Sequence, residues 1–536
     1  MKRLLPVLFI FLSAAALSLR GNDNAVASQF PAERKLRLAE AVIENYYVDS
    51  VDADKMVEQA IIAMLKTLDP HSAYSTAEET RQLNEPLEGN FSGIGVRFQM
   101  LNDTLYVIET IPGGPSEEVG ILPGDRILEC NDTVIAGVKM KNSDIMKILR
   151  GPRDTRAALK IKRRGVDGTI TFNVTRRDIP INSVDAWFMA DAKTGVVVVS
   201  RFAENTPAEM RDAIAAMKKK GMKNLIVDLT GNSGGYLKSA YEIANMFLRK
   251  GDMLVFTDAP RLGRTDYVAE EDGILLDNPV VIMVDQYSAS AAEILAGAVQ
   301  DNDRGVIVGR RTFGKGLVQR PFPFPDGSMM RLTVSKYYTP SGRCIQKPYV
   351  SGDPDSYFHD ITDRYNNGEL LNADSAYHYA DSLLYRTIRH GRPVYGGGGI
   401  MPDVNVPLDT TFFTPWYRDV VAKGVLNKFC VTYVENHRKA MLKSYPKAEA
   451  YIDRFDAGTE VMKELVDAAT AEGIEFNQEQ YDRSAPYLVN IVKALIGRDL
   501  YGQDVYYRVA YLNNPIFLKA REIINSPDKY TLILNP

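Results

Sequence analysis

Apolar residues in the middle of this chain gather into short unbroken runs: GVVVVSRF (195–202), LIVDL (225–229), Val280 to Val284 and Val306 to Val308. A run without polar alternation suits a strand buried on both faces. Between the runs the pattern changes to helical spacing. Thr206-Pro207 opens a helix predicted to reach Lys220 and stop at Gly221, and another is predicted to begin near Tyr236. Ala291, Ala292, Ile294, Leu295, Ala298 and Val299 recur at helical spacing behind an S-x-x-E start signal, Ser290 to Glu293. Strands alternating with helices imply a mostly parallel sheet.

The flanking regions differ in pattern. Glu33 to Leu68 reads as helical, with Leu38, Val42, Ile43, Met56, Ala60, Ile61, Met64 and Leu65 at three- and four-residue spacing, and it stops at Asp69-Pro70. From Glu88 to Asp178 short strands and frequent glycines take over, with a helix expected from Ser143 to Leu149. Lys347 to Arg392 is acidic and aromatic and is expected on the surface. After residue 408 the chain turns helical again, with runs at Val461 to Ala471, Pro486 to Ile496 and Val505 to Ile524. The implied division is a leader (1–27), a helical segment (28–87), a glycine-rich domain (88–178), an α/β core (179–408, with the insertion 347–392) and a helical extension (409–536).

Composition narrows the choices of partner and compartment. A length of 536 residues allows three or four domains, and a net charge of −4 argues against a nucleic-acid partner. Lys2 and Arg3 precede an apolar run ending at Leu19 that is shorter than a membrane span, which has the shape of a secretory signal. Ala14 to Ala16 and Ala25 to Ala27 are candidate cleavage sites, and an uncleaved anchor is the alternative. Cys130, Cys344 and Cys430 are too scattered for a disulfide framework or a metal cluster and read as buried thiols. The histidines do not pair at ligand spacing, so no metal and no cofactor are expected.

Ser290 falls at a strand-to-helix junction, where a hydroxyl can stand beside unpaired backbone N–H groups, although a serine there can also simply cap the helix. A nucleophilic serine needs a base. None of His71, His359, His378, His390 and His437 lies within forty residues of Ser290. Lys315, between Gly314 and Gly316 in TFGKGLVQ, serves instead if burial lowers its pKa. Gly309 to Lys315 also spells G-x-x-x-x-G-K, but Gly316 stands where a phosphate loop has Ser or Thr, and the proline-punctuated LVQRPFPFPDG follows instead of a helix.

These phrases resemble the carboxy-terminal processing proteases, periplasmic or lumenal serine peptidases with a serine–lysine dyad. The family pattern is S-A-S-A-x-E, a lysine twenty-five positions after the second serine in T-F-G-K-G, and a glutamine four positions further; Ser290, Lys315 and Gln319 match. The resemblance implies Ser290 as nucleophile, Lys315 as base and Gln319 as the residue that orients it. It also implies an oxyanion hole from the Ala291 N–H and that of Gly234 or Gly235. The family turn D-L-R-N-N-P-G-G is matched by Asp228, Leu229, Asn232, Gly234 and Gly235, while Thr230, Gly231 and Ser233 depart from it. Phe91 to Val96 resembles the carboxylate-binding loop of a PDZ domain, with Leu122-Pro123-Gly124-Asp125 as its central phrase. Ser92, Gly93, Ile94, Gly95 and Val96 would hold a peptide's terminal carboxylate. LDPHS, TVSKYYTPSGRCIQ (333–346) and GGGGIMPDVNVP (396–407) resemble further family phrases, and His71 in the first is given a structural role.

The expectation is an α/β multidomain chain: helical segment, PDZ domain of α+β type, crotonase- and ClpP-like α/β core, all-α extension. It would be an exported, periplasmic serine endopeptidase acting near free C-termini of protein or peptide substrates, without a membrane span in the mature chain and with the need for an adaptor left open. The alternatives are a non-enzymatic PDZ scaffold that captures C-termini and, because the core resembles the crotonase group, acyl-thioester chemistry.

Overall fold

The computed structural model describes residues 32–101, 103–372 and 380–536, grouped into two units, residues 1–65 and 66–536. The leader and His378 lie outside the described residues. In the first unit the helical pattern forms two helices, α1 (Ala32–Tyr46) and α2 (Ala53–Lys66). The expected single run breaks at Asp52, whose carboxylate accepts the Lys55 N–H at 3.2 Å and starts the second helix.

In the second unit, after Asp69-Pro70, a short strand (Ala73–Ser75) precedes α3 (Ala77–Glu88), which opens on a reciprocal Thr76–Glu79 capping box. The glycine-rich region folds as an antiparallel sheet of β1 (Val96–Leu101), β2 (Thr104–Thr110), β3 (Arg126–Cys130), β4 (Arg156–Lys162) and β5 (Ile170–Thr175), with α4 (Asn142–Leu149) between β3 and β4 in the chain. Leu105, Val107, Ile127, Ile145 and Leu159 form its core. Among the described residues β1 is an edge, paired only with β2. Asp125 of the LPGD phrase is buried and ion-paired to Arg163 at 2.7 Å, which secures the turn before β3.

The apolar runs become a six-stranded sheet. Its strands are β6 (Val184–Met189), β7 (Thr194–Val199), β8 (Asn224–Asp228), β9 (Val280–Val284), β10 (Val306–Gly309) and, at the far edge, Val404–Asn405. All neighbours are parallel except β6 and β7. One face is covered by α5 (Thr206–Lys219), α6 (Leu237–Asn245) and α7 (Ala291–Asp301) through a core that includes Val227, Ile282 and Leu295. A second sheet stands beside the first, built on the hairpin of β11 (Leu317–Pro323) and β12 (Met329–Tyr338).

The insertion departs from the expectation. Within it α8 (Pro354–Asn366) buries Tyr357 and Arg364, and Arg364 donates to the carbonyls of Arg311 (2.5 Å) and Thr312 (3.1 Å). The extension also divides. Its first part, including α9 (Val425–Ser444), builds its own core with Phe429, Leu465, Leu488 and Val492. Near residue 511 the expected continuous helix breaks before Pro515, which cannot continue an interior helical hydrogen-bond ladder. α10 (Pro515–Ile524) then lies on the second face of the six-stranded sheet, where Phe517 and Ile523 pack with Ile226, Met283 and Val308.

Candidate active site

Ser290 stands in the turn after β9, immediately before α7, with φ +56° and ψ −114°. A non-glycine residue there carries backbone strain of about 1–3 kcal/mol, which persists only when its surroundings enforce it. Glu293 does much of the enforcing. Fully buried, its carboxylate accepts the N–H of Ser290 (2.8 Å), Gly314 (2.7 Å) and Lys315 (2.9 Å) and the hydroxyl of Thr312 (2.5 Å). One carboxylate therefore fixes both the serine turn and the lysine loop. Burial pushes its pKa up to about 7, with these four donors pulling the other way. The buried Tyr337 hydroxyl closes the other side, standing between the carbonyls of Ser290 (3.1 Å) and Lys315.

Lys315 reaches the same cleft, a cavity of about 940 Å³ also lined by Gly234, Gly235, Ser290, Ala291, Gln319, Arg331 and Tyr337. Its pKa is lowered to about 8, first by desolvation and then by the charge of Arg331, against the pull of Glu293 and Asp69. The Gln319 amide donates to Thr333 Oγ1 at 3.3 Å, so the expected orienting bond to Lys315 is not the one its amide makes. No phosphate loop forms: β11 follows Lys315 where a nucleotide site has a helix.

The turn after β8 brings the two glycines against the serine. A Cβ on Gly234 would stand 2.8 Å from Ser290 Cβ and 3.1 Å from Ala291 N, and one on Gly235 would strike the Phe202 carbonyl at 2.1 Å, so both must be glycine. Asn232 bolts the turn in place. Its side chain accepts the Gly234 N–H (2.8 Å) and donates to the Val199 carbonyl (2.7 Å), and its own carbonyl accepts the Ala289 N–H (2.9 Å). Among the described residues the N–H groups of Gly235 and Ala291 make no hydrogen bond. Asp285, immediately after β9, accepts the N–H of Gly231 (2.9 Å), which ties down the part of the turn that departs from the family pattern.

The other candidates separate cleanly. Ser288 is fully buried, donating to the Leu229 carbonyl (2.7 Å) and accepting the Asp285 N–H (2.9 Å). His71 shares a 3.1 Å hydrogen bond with Tyr357, and burial first, then the charge of Lys315, lowers its pKa to about 3. In the PDZ loop, Gly93 pairs with Arg177, the Ile94 carbonyl accepts the Ser116 hydroxyl (2.6 Å) and the Gly95 carbonyl accepts the Ile111 N–H (3.0 Å). The N–H groups of Ile94 and Gly95 have no hydrogen-bond partner among the described residues, and Ser92 Oγ is buried without one. Val96 opens the edge strand β1.

Residues 193–356 match the peptidase family S41, residues 92–174 a PDZ domain, residues 13–80 the N-terminal domain of the activating protease CtpB, and residues 416–502 a family of unknown function, DUF8443. The carboxy-terminal processing protease CtpA of Bacillus subtilis (strain 168) is 32% identical over 394 residues, 71% of this chain and 83% of its own length. The chain belongs to the carboxy-terminal processing protease family. As a member of that family it is a serine-type peptidase of the S41 group with a PDZ domain, preceded by helices and followed by a helical region. A CtpA-like serine protease of Staphylococcus aureus (strain N315) is also 32% identical, over 66% of this chain and 70% of its own. Among solved structures, a photosystem II D1 C-terminal processing protease aligns at 29% identity over 59% of this chain and 91% of its own, with a TM-score of 0.34.

Within this family fold the residues that spacing alone left without a task are Glu293, Tyr337, Asn232 and Asp285. Glu293 was visible as half of a capping signal. Its hydrogen bonds to Thr312, Gly314 and Lys315 run to a loop some twenty residues away and leave no mark in composition.

Proposed function

We propose that this protease is exported and trims polypeptides near their C-termini by acyl transfer through Ser290 and Lys315. The observation that carries the reading is the shared Glu293 carboxylate, which holds the backbone of a strained serine and of a desolvated lysine in one cleft. Neutral Lys315 takes the Ser290 proton as Oγ bonds to the substrate carbonyl carbon. The oxyanion faces the N–H groups of Ala291 and Gly235, each donor worth about 3 kcal/mol in comparable hydrolases. Gly235 is preferred to Gly234 because the Gly234 N–H is already held by Asn232. Lys315 then gives its proton to the leaving amine as the C–N bond breaks, and a water, deprotonated by the same lysine, releases the acyl group. Gln319 shapes the lysine wall through Thr333. The unpaired Ile94 and Gly95 N–H groups beside a free strand edge suit a terminal carboxylate, with the peptide pairing along β1.

The test is cleavage of one unfolded protein by single variants. Ser290→Ala, Lys315→Ala and Lys315→Arg should each lose nearly all activity, since the pair acts as a unit and a guanidinium stays protonated. Ser288→Ala should retain turnover while losing stability of about 1–3 kcal/mol from the buried groups left unpaired. Robust cleavage by Ser290→Ala or Lys315→Arg would overturn the assignment.

A further inference from the structure

The cleft wall that carries Lys315 and Gln319 also carries Arg331, to which the mechanism assigns no task. Arg331 lies on β12 opposite Pro321, two positions before Thr333, which faces Gln319 across the hairpin. Strand alternation puts Arg331 and Thr333 on the same face. The Arg331 Nε is closed off from solvent and has no hydrogen-bond partner, and no ion pair joins this guanidinium to a carboxylate among the described residues. Its charge reaches Lys315, so two cations share one partly desolvated wall.

Three carboxylates near the cleft, Asp69, Glu293 and Glu242, have partners of their own, while Glu204 also lines the cleft. Asp69 accepts the N–H groups of His71 (2.9 Å) and Ser72 (3.0 Å) and the hydroxyls of Thr333 (2.9 Å) and Ser72 (2.5 Å). Glu293 holds its four donors, and Glu242 stands 3.7 Å from Lys238. A guanidinium that lines a substrate cleft and has no carboxylate partner among the described residues suits a carboxylate, to which guanidinium groups commonly bind in a bidentate manner.

We infer that Arg331 is an anion subsite of the cleft, which takes a carboxylate of the polypeptide substrate and so favours cleavage beside an acidic residue. The inference rests on reading Ser290 and Lys315 as the reacting pair. The carboxylate has two sources: a Glu or Asp side chain near the scissile bond, or the free C-terminus when the cut falls close to it. Glutamate side chains are the primary source here, because the PDZ loop offers its own donors for the terminus.

The experiment uses the full-length protein and one peptide series with Glu, Gln or Lys next to the cleaved bond, each with a free or an amidated C-terminus. The wild type should cleave the Glu peptide at least roughly tenfold faster in kcat/KM than the Gln peptide, the range of one charge-assisted hydrogen bond. Arg331→Gln should erase that ratio, and Arg331→Glu should favour the Lys peptide. Arg331→Lys keeps the charge without the planar fork and should keep part of the preference. If the wild-type preference follows amidation instead of the side chain, the subsite stands with the terminus as its ligand. If Arg331→Gln slows all peptides alike, or moves only the pH–rate profile, the subsite is overturned. Binding of the amidated peptides to Ser290→Ala and to Ser290→Ala with Arg331→Gln, followed by fluorescence anisotropy, reads the same charge preference without turnover. Failure of the dyad reading appears separately, as cleavage that survives Ser290→Ala.

Discussion

At the residue scale the proposed chemistry turns on two charged side chains. Lys315 has its pKa brought down to about 8, chiefly by burial, so the neutral amine is the minority form below that pH and the majority above it. Cleavage of a peptide without titratable groups should therefore rise roughly tenfold per pH unit up to about 8 and then level off. A rate that is flat between pH 6 and 9 would contradict a lysine base. Glu293 predicts a second outcome. Glu293→Gln places an amide N–H₂ among four donors, and Glu293→Ala removes their common acceptor, so both should lower kcat far more than they raise KM. The measurement is steady-state kinetics beside thermal unfolding; unchanged kcat in a folded Glu293→Ala would remove its positioning role. The phrases and separation that single out Ser290 and Lys315 were legible in the sequence, and the structure places both residues in one cleft. Glu293 was half legible, since a capping signal shows only the local end of a hydrogen-bond set whose far end is backbone. Which glycine leaves its N–H free was not legible, because Asn232 decides it by a side-chain bond that identical turns need not make.

Elements are where the reading of pattern held best and also where it failed. Strands β8, β9 and β10 and helices α5 and α7 lie where continuous apolar runs and helical spacing put them, because burial on both faces leaves little freedom for register. The insertion failed because acid and aromatic content suggests exposure, whereas Tyr357 and Arg364 sit seven positions apart on one face of α8 and turn inward. There Arg364 and Arg311 share the Glu369 carboxylate, at 3.0 and 2.7 Å, behind the Thr312 carbonyl. Arg364→Ala leaves buried charges without their partner, a loss of about 3–5 kcal/mol. Because Thr312 is bonded to Glu293, activity should fall as well, at temperatures well below unfolding. Hydrogen exchange at residues 311–316 should rise in this variant. No change there would detach the insertion from the site.

On the scale of the whole molecule, the helical extension is two things. Its first part meets the PDZ sheet through Arg126–Glu435 (2.8 Å) and the contact of Leu101 and Ile108 with Val431, which gives the peptide-binding domain a seat away from the peptidase core. Its second part completes the core. Tyr511 donates to the buried carboxylate of Asp228, whose pKa is raised to about 6, mainly by burial, and Asp228 in turn holds the Thr230 N–H (2.7 Å) at the start of the turn that carries Gly234 and Gly235. A chain ending at residue 510 should expose Phe188, Ile226 and Met283 and should aggregate or be degraded; size-exclusion chromatography and peptide cleavage check this. A soluble, active truncation would show that the sheet tolerates a bare face. Sequence alone did not reveal this division, because an amphipathic helix shows that it has an apolar face without showing what covers it. The position of α10 also has a bearing on the time at which activity arrives. During synthesis the serine and the lysine leave the ribosome long before the helix that closes the sheet behind them. By the truncation prediction, a nascent chain that already holds Ser290 and Lys315 lacks a finished core, and activity should follow only once α10 has been made.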